Sequence, residues 1–377
     1  MSNALLVTGT CWICMALACQ TQSASEPADA HESWCRRGTA VATQPANERA
    51  EAHQLIMDGW RLSAADVEKL EEHVTAEPGD LTARTKLIGY YSYSGQNPRN
   101  DRIAEAVRRH VLWIIRHRPE SQIAGLPQTR LEPVLDAEGY RLASVAWQNQ
   151  VEKRSKDTAV LGNAAAFFLL NESKTAERLL NQASQLEPKE AEWPKRLAHL
   201  YELRMNSASG KLRQEWAGKA LAMGERAYQL TPDNYSRSLL LDDLAKTAFE
   251  AGQFDKAERY ARQTLDMATN RADWNYGNAI HHGTLVLGRI ALAKGDVGQA
   301  KKYLVEAGKT PGSPQLNSFG PNMLLASELL KRGEKQAVLD YLDAVGMFWE
   351  MGKNKLKEWS EAVKNNAVPS FGANLNY

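Results

Sequence analysis

The sequence predicts an all-α fold, an α/α solenoid of stacked helical hairpins, and three observations predict it. Two stretches share one small-residue signature: Leu287-Gly288, Gly295, Ala300, Leu304 and Ala307 in one, Leu244-Ala245, Gly252, Ala257 and Ala261 in the other. Each reads as helix, glycine turn, helix, with alanines where two helix backbones would touch. After residue 47 almost every segment carries apolar residues three and four apart, interrupted by Gly, Pro or Asn. Strand-type alternation is nearly absent, and no hairpin turn lies between β-branched runs. A helical hairpin of this kind leaves an apolar flank that only the next hairpin can cover, so several must stack.

The elements follow in order. Pro78 closes a helix from Ala64 to Thr75. Leu87, Tyr91 and Gly95 mark the first helix of an early unit, and Val107, Val111 and Ile114 its second, which stops at Pro119. Val160 to Asn171 supplies Ala164 and Phe167 and pairs with a helix through Ala176, Leu179, Leu180, Ala183 and Leu186 that ends at Pro188. Leu197, Ala198 and Tyr201 begin the next unit, and Ala220, Ala227, Leu230 and Pro232 finish it. The clearest units follow at 238–270 and 281–310, and Leu325, Ala326, Gly333, Ala337, Tyr341 and Ala344 form a last, shortened one. Trp193, Trp216, Trp349 and Trp359 fall at helix ends or on apolar stripes, where they are expected to pack.

These small, aromatic and glycine places resemble those of the tetratricopeptide (TPR) repeat family from residue 64 to 345. The period departs from it. Pro188 and Pro232 are 44 residues apart and Gly252 and Gly295 are 43 apart, against about 34 in a standard unit. Helices or loops are therefore lengthened, which a HEAT-like or generic α-solenoid also fits. The resemblance implies first helices lining a concave face that takes a protein or peptide partner. Inward places would be Glu192, Lys195, Arg196 and His199, then Asp242, Asp243 and Lys246, then His282, Leu285 and Arg289. Their mixed charge suits a polar ligand held by several weak contacts, and equally a solvated face. The Lys and Asn clamp of peptide-binding family members has no counterpart at Thr85, Gly89, Leu161 and Ala165, so a chaperone-tail ligand is not implied. The expected layout is N-terminal helical repeats over 48–156, a TPR-like array over 157–349, and a capping helix and tail over 350–377.

The 377 residues carry 46 Lys and Arg against 45 Asp and Glu, and that balance argues against a nucleic-acid footprint and against a polyacidic disordered chain. All four cysteines, Cys11, Cys14, Cys19 and Cys35, lie ahead of Arg36, so no disulfide or thiolate site can hold the body together. The uncharged run from Ala4 to Cys19 is shorter than the roughly 20 residues a spanning helix needs and fits a secretory h-region. Met15 to Cys19 resembles a bacterial lipobox, with Cys19 as the lipidated residue and 20–47 as a disordered tether. No Lys or Arg precedes the run and Ala16 stands where such motifs prefer leucine. The expectation is an exported protein, periplasmic or anchored through Cys19; a mis-assigned start or a disordered cytosolic tail reads the same way.

Three regions carry polar groups at suggestive spacing. Asn278, His282 and Arg289 fall at intervals of four and seven, one helix face, shortly after Asp273, Trp274 and Tyr276. An imidazole, an amide and a guanidinium can grip a carboxylate, assist proton transfer, or form a structural hydrogen-bond network. His281 and His282 point about 100° apart on a helix, which disfavours a shared metal. The segment Gly308 to Asn322 reads as a long loop without helical periodicity, offering Ser313, Gln315 and Asn317. Its SFGPN is echoed by SFGAN at 370–374, and closure of the last repeat is the favoured reading. Arg108, Arg109, His110, Arg116, His117 and Arg118 surround Trp113, with most of these charges expected in water, and a second long loop, Glu120 to Ala137, follows. No phosphate loop, dinucleotide fingerprint, nucleophile elbow or HExxH pattern is present. The expected function is a non-enzymatic scaffold, with neither cofactor nor metal nor nucleic acid. Its partner-binding residues would be Lys195, His199, Asp242, Lys246, Asn278, His282, Arg289, Ser313 and Asn317. The alternative is an enzyme or small-ligand receptor with a pocket between the 274–289 helix and the 308–322 loop.

Overall fold

Helix starts and stops are written locally, and the chain obeys them. The computed structural model describes residues 44–93, 101–268 and 273–375. The four cysteines, the apolar run, the tether up to Thr43 and Gly95 lie outside the described residues. Among the described residues there are seventeen α-helices and no strand, an α/α solenoid of helical hairpins as expected. Contacts divide the described residues into two units, 44–200 and 201–375.

The N-terminal unit comprises α1 (Gln44–Trp60), α2 (Ala64–Ala76), α3 (Leu81–Tyr93), α4 (Asp101–His117), α5 (Ala137–Lys153), α6 (Thr158–Phe168), α7 (Ser173–Leu186) and the first part of α8 (Glu192–Asn206). Ser63 and Asp66 close a capping box at α2, and Asp136 and Asp157 cap α5 and α6, each supplying a carboxylate to an otherwise unpaired amide. Between α4 and α5 there is no α-helix, only the 3-10 turns Gln122–Gly125 and Pro127–Thr129. Asn163 of α6 donates Nδ2 to the Pro119 and Ser121 carbonyls at 2.9 Å each, which ties this segment down. α1 packs across α3 and the first of these turns. It approaches so closely that a Cβ on Gly59 would overlap the Lys86 carbonyl and one on Gly89 the Ile56 carbonyl.

The C-terminal unit continues with α9 (Gly210–Leu230), α10 (Asn234–Glu250), α11 (Phe254–Met267), α12 (Tyr276–Ala293), α13 (Val297–Gly308), α14 (Pro314–Phe319), α15 (Leu324–Leu330), α16 (Lys335–Val345) and α17 (Lys353–Lys364). Three hairpins turn identically. Gly252, Gly295 and Gly333 take φ of +75°, +86° and +84°. In each, the glycine amide and the next amide bond back to the carbonyls of the preceding helix, as Gly252 to Phe249 and Gln253 to Ala248 do at 2.9 Å. The alanines behave as spacing predicted: Ala245, Ala248, Ala257, Ala261, Ala300 and Ala307 are fully buried.

α12 shows why the hairpins must stack. Val286, Leu287 and Ile290 enter one core with Leu221, Leu241 and Leu244. Leu285 and Leu292 enter the next with Leu304, Leu325, Tyr341 and Trp359. A helix buried on both flanks is sealed only when both neighbours are present. Trp193, Trp349 and Trp359 are buried, and Trp216 stacks on Tyr201.

Candidate functional site

The 308–322 segment is not the structureless loop its composition predicted. Pro314–Phe319 forms the short helix α14, because Ser313 caps it through the Leu316 amide at 2.9 Å and Pro314 occupies its first turn. Ser313 Oγ also donates to Asn278 Oδ1 at 2.6 Å. Asn278 Nδ2 in turn donates to Gln315 Oε1 at 2.9 Å and to Asn275 Oδ1 at 3.1 Å. Thr310 Oγ1 donates to the Gly277 carbonyl at 2.8 Å. The structure therefore brings Asn278 and Ser313 together by sewing the segment onto α12. Asn317 lies on α14 with a buried Oδ1 that has no hydrogen-bond partner.

His281 is the keystone of the same layer. It is fully buried, donates Nδ1–H to the Ala307 carbonyl at 3.0 Å and accepts the Asn322 amide on Nε2 at 3.1 Å. Burial, with the adjacent imidazole, pushes its pKa down to about 3, which keeps the ring in the neutral tautomer both bonds require. Tyr341 Oη donates to the Asn322 carbonyl at 2.8 Å. The two SFGxN copies meet here. Asn374 Nδ2 donates to the Phe319 and Pro321 carbonyls at 3.0 and 2.8 Å, and the Met323 amide donates to the Asn374 carbonyl at 2.8 Å. One copy clamps the other and closes the last repeat, the reading the echo favoured.

Asp242, Lys246 and His282 form a second group between α10 and α12. Asp242 Oδ2 accepts Lys246 Nζ and His282 Nδ1–H, both at 2.7 Å. Burial raises the Asp242 carboxyl, and its His282 and Lys246 partners outweigh that and hold it below the usual carboxylate range. Burial lowers His282 and Asp242 restores it only in part, so the imidazole is neutral and donates from Nδ1. Asp242 Oδ1 is buried without a donor.

Arg289 belongs to neither group. Its guanidinium donates to Glu250 at 2.8 Å and to Glu328 at 2.7 and 3.1 Å, and it lies 4.1 Å over the Phe249 ring. Glu250 also receives Arg213 Nε at 2.5 Å. The result is a charge ladder, Arg213, Glu250, Arg289, Glu328, crossing four helices. Arg289, Asn278 and His282 share a helix face but are bonded to different side chains, Asn278 to Ser313 and Gln315, His282 to Asp242, and Arg289 to Glu250 and Glu328. Lys195 and His199 are exposed on α8 in the N-terminal unit.

The basic stretch of α4 differs from its expected exposure. His110 is fully buried, donating to Glu71 at 3.0 Å and accepting from Arg84 at 3.1 Å. Arg108 pairs with Asp136, Arg109 with Glu71 and Arg118 with Glu120. Two clefts stand out, and neither contains an expected site residue. One of about 400 Å³ opens between α5 and α7 over Phe168 and Leu179, with Glu152 and Arg178 on its walls. The other, about 40 Å³, is lined by Ser238, Thr264, Asp273 and Asn275. Among the described residues no helix is long and apolar enough to cross a membrane, and no three His, Cys, Asp or Glu converge as a metal site.

Sequence reading missed Glu250 and Glu328 as partners of Arg289, although a signal existed. Each lies 39 residues from Arg289, close to one repeat length. Comparisons with known proteins add little: no protein-family model matches the chain, and no curated protein matches it. Among solved structures the human IFIT1 dimer with m7Gppp-AAAA is similar at a TM-score of 0.40 and 17% identity, covering 94% of this chain and 80% of that one.

Proposed function

We propose that the chain is a non-enzymatic helical-repeat scaffold that takes a protein or peptide partner along its first helices. The observation that carries this is the state of the polar groups that chemistry would need. Ser313 uses its hydroxyl as both donor and acceptor, Asn278 is bonded on both its oxygen and nitrogen, and Arg289 is shared by two carboxylates. They stiffen the stack, and none of these three side chains is an activated nucleophile or a poised base. On the first helices Lys195 and His199 of α8 and Asp243 of α10 are exposed to a partner. A protein partner is favoured over nucleic acid because the acids facing Arg108, Arg109 and Arg118 neutralise the strongest basic stretch. Export and acylation at Cys19 accompany this reading, and intact mass of the mature form made in an exporting host tests them.

A photo-crosslinking side chain placed at Lys195 or Asp243 tests the binding face, with Lys174 on the second helix α7 as the control. The expected result is adducts in native extract from the first two positions and none from Lys174. Adducts from Lys174 alone, or from no position, refute the scaffold reading.

A further inference from the structure

Asn322 sits among the bonds that fasten the C-terminal end of the chain. Its amide donates to His281 Nε2 at 3.1 Å, and its carbonyl accepts Tyr341 Oη at 2.8 Å. On either side of it, Asn374 Nδ2 holds the Phe319 and Pro321 carbonyls, and the Met323 amide holds the Asn374 carbonyl. Among these partners His281 is the one whose hydrogen-bonding character a proton changes below neutral pH.

The ring uses both nitrogens, Nδ1–H toward the Ala307 carbonyl at 3.0 Å and the Nε2 lone pair toward the Asn322 amide. A further proton can enter only at Nε2. It turns that acceptor into a donor, and two N–H groups then face each other where one bond stood. Water is kept from both, since the ring is fully buried, parallel to the Tyr341 ring at 6.3 Å and edge-on to the Phe348 ring at 6.2 Å. The titratable and charged groups facing it are His282, with ring centroids 5.2 Å apart, Tyr341, and the Asp242–Lys246 pair to which His282 is bonded. Burial, His282 and Lys246 oppose an imidazolium at 281, and they outweigh the Ala307 carbonyl and Asp242, which favour it.

We infer that His281 is an acid-sensitive latch on the C-terminal clamp: a proton added at Nε2 releases the Asn322 amide and lets the 308–322 and 370–375 segments part from α12. Opening uncovers Leu316, Met323 and Phe371, which are buried in one core with Trp349 and Trp359. With the folded value lowered to about 3, the contribution of His281 is complete above the ordinary value of 6.5 and is lost as pH falls toward the folded one. The latch goes beyond the scaffold reading and does not depend on it.

Amide hydrogen exchange of the full chain tests it, as protection factors at about pH 7.5 and about pH 5, either side of the ordinary histidine value. In wild type the Asn322 and Met323 amides are expected to lose protection about thirtyfold, the ratio set by an imidazole that titrates normally in the open clamp and stays neutral in the closed one. The Gly252 and Gln253 amides of the α10–α11 turn are the reference and should change by less than about threefold. His281→Gln keeps an acceptor and takes up no proton, so its Asn322 and Met323 amides should be equally protected at both pH values. The ring nitrogen chemical shifts of wild type need no variant, and should report the neutral Nδ1–H form at both. Unchanged protection in wild type, an equal loss in His281→Gln, an equal loss at the reference turn, or an imidazolium inside the closed clamp overturns the inference.

Discussion

Replacing Arg289 with alanine removes the central rung of the charge ladder in the C-terminal unit. The lost interactions are the bond to Glu250, three bonds to Glu328 and the face contact with Phe249. Breaking a buried ion pair on one side costs about 3–5 kcal/mol, because the remaining charge is stranded. Two features place Arg289→Ala at the lower end. Glu250 keeps Arg213, and the Glu328 side chain is 31% exposed, so water can replace the guanidinium there. The expected loss is therefore about 3 kcal/mol. The paired variant Arg289→Met with Glu328→Gln removes both charges while keeping the volume, and should cost only about 1 kcal/mol. Urea denaturation followed by helical circular dichroism measures both. The pH dependence carries a sign. Burial raises Glu250, but Arg213 and Arg289 hold it below its ordinary value, so its contribution is complete above about pH 4.3, the unperturbed value, and is lost as pH falls through the folded one. Arg289→Ala should show a weaker loss on acidification than wild type. A single variant that costs under about 1 kcal/mol at unchanged m-value, or a paired variant as damaging as the single one, refutes the reasoning.

Three further outcomes are expected. Gly89→Ala drives a methyl into the Ile56 carbonyl of α1 and should cost about 1–3 kcal/mol, read as a lower urea midpoint with faster exchange of α1 amides. Asn374→Ala removes both bonds to the Phe319 and Pro321 carbonyls; a loss of about 1–3 kcal/mol and earlier exchange of the Met323 amide are expected, with helical content of α9 to α12 unchanged. Glu71, raised by burial but brought to about 2 by His110, Tyr91 and Arg109, contributes stability that is complete above its unfolded value and lost as pH falls toward 2. Glu71→Gln should flatten the acid limb of a stability–pH profile, and an unchanged limb would show that this carboxylate does not titrate there.

Much of the architecture was legible because its causes are local. The three glycine turns, the aspartate caps and the buried alanines depend on backbone reach and on residues within one turn of each other. The helix at 314–319 escaped notice because Pro311, Gly312, Gly320 and Pro321 around it read as loop, while its stability comes from the Ser313 cap and the bonds to Asn278. His110 was misread for a similar reason: a histidine among arginines looks solvated until Glu71 and Arg84 arrive from 39 and 26 residues away.

Helical hairpins, their order and the need to stack were determined by the sequence itself, since periodicity, caps and turn glycines act over a few residues. Which polar groups would be consumed was decided only by tertiary structure. Asp242 and His282 are 40 residues apart, and Arg289 sits 39 from each of its carboxylates. A side chain's partners one repeat away are set by how neighbouring hairpins register.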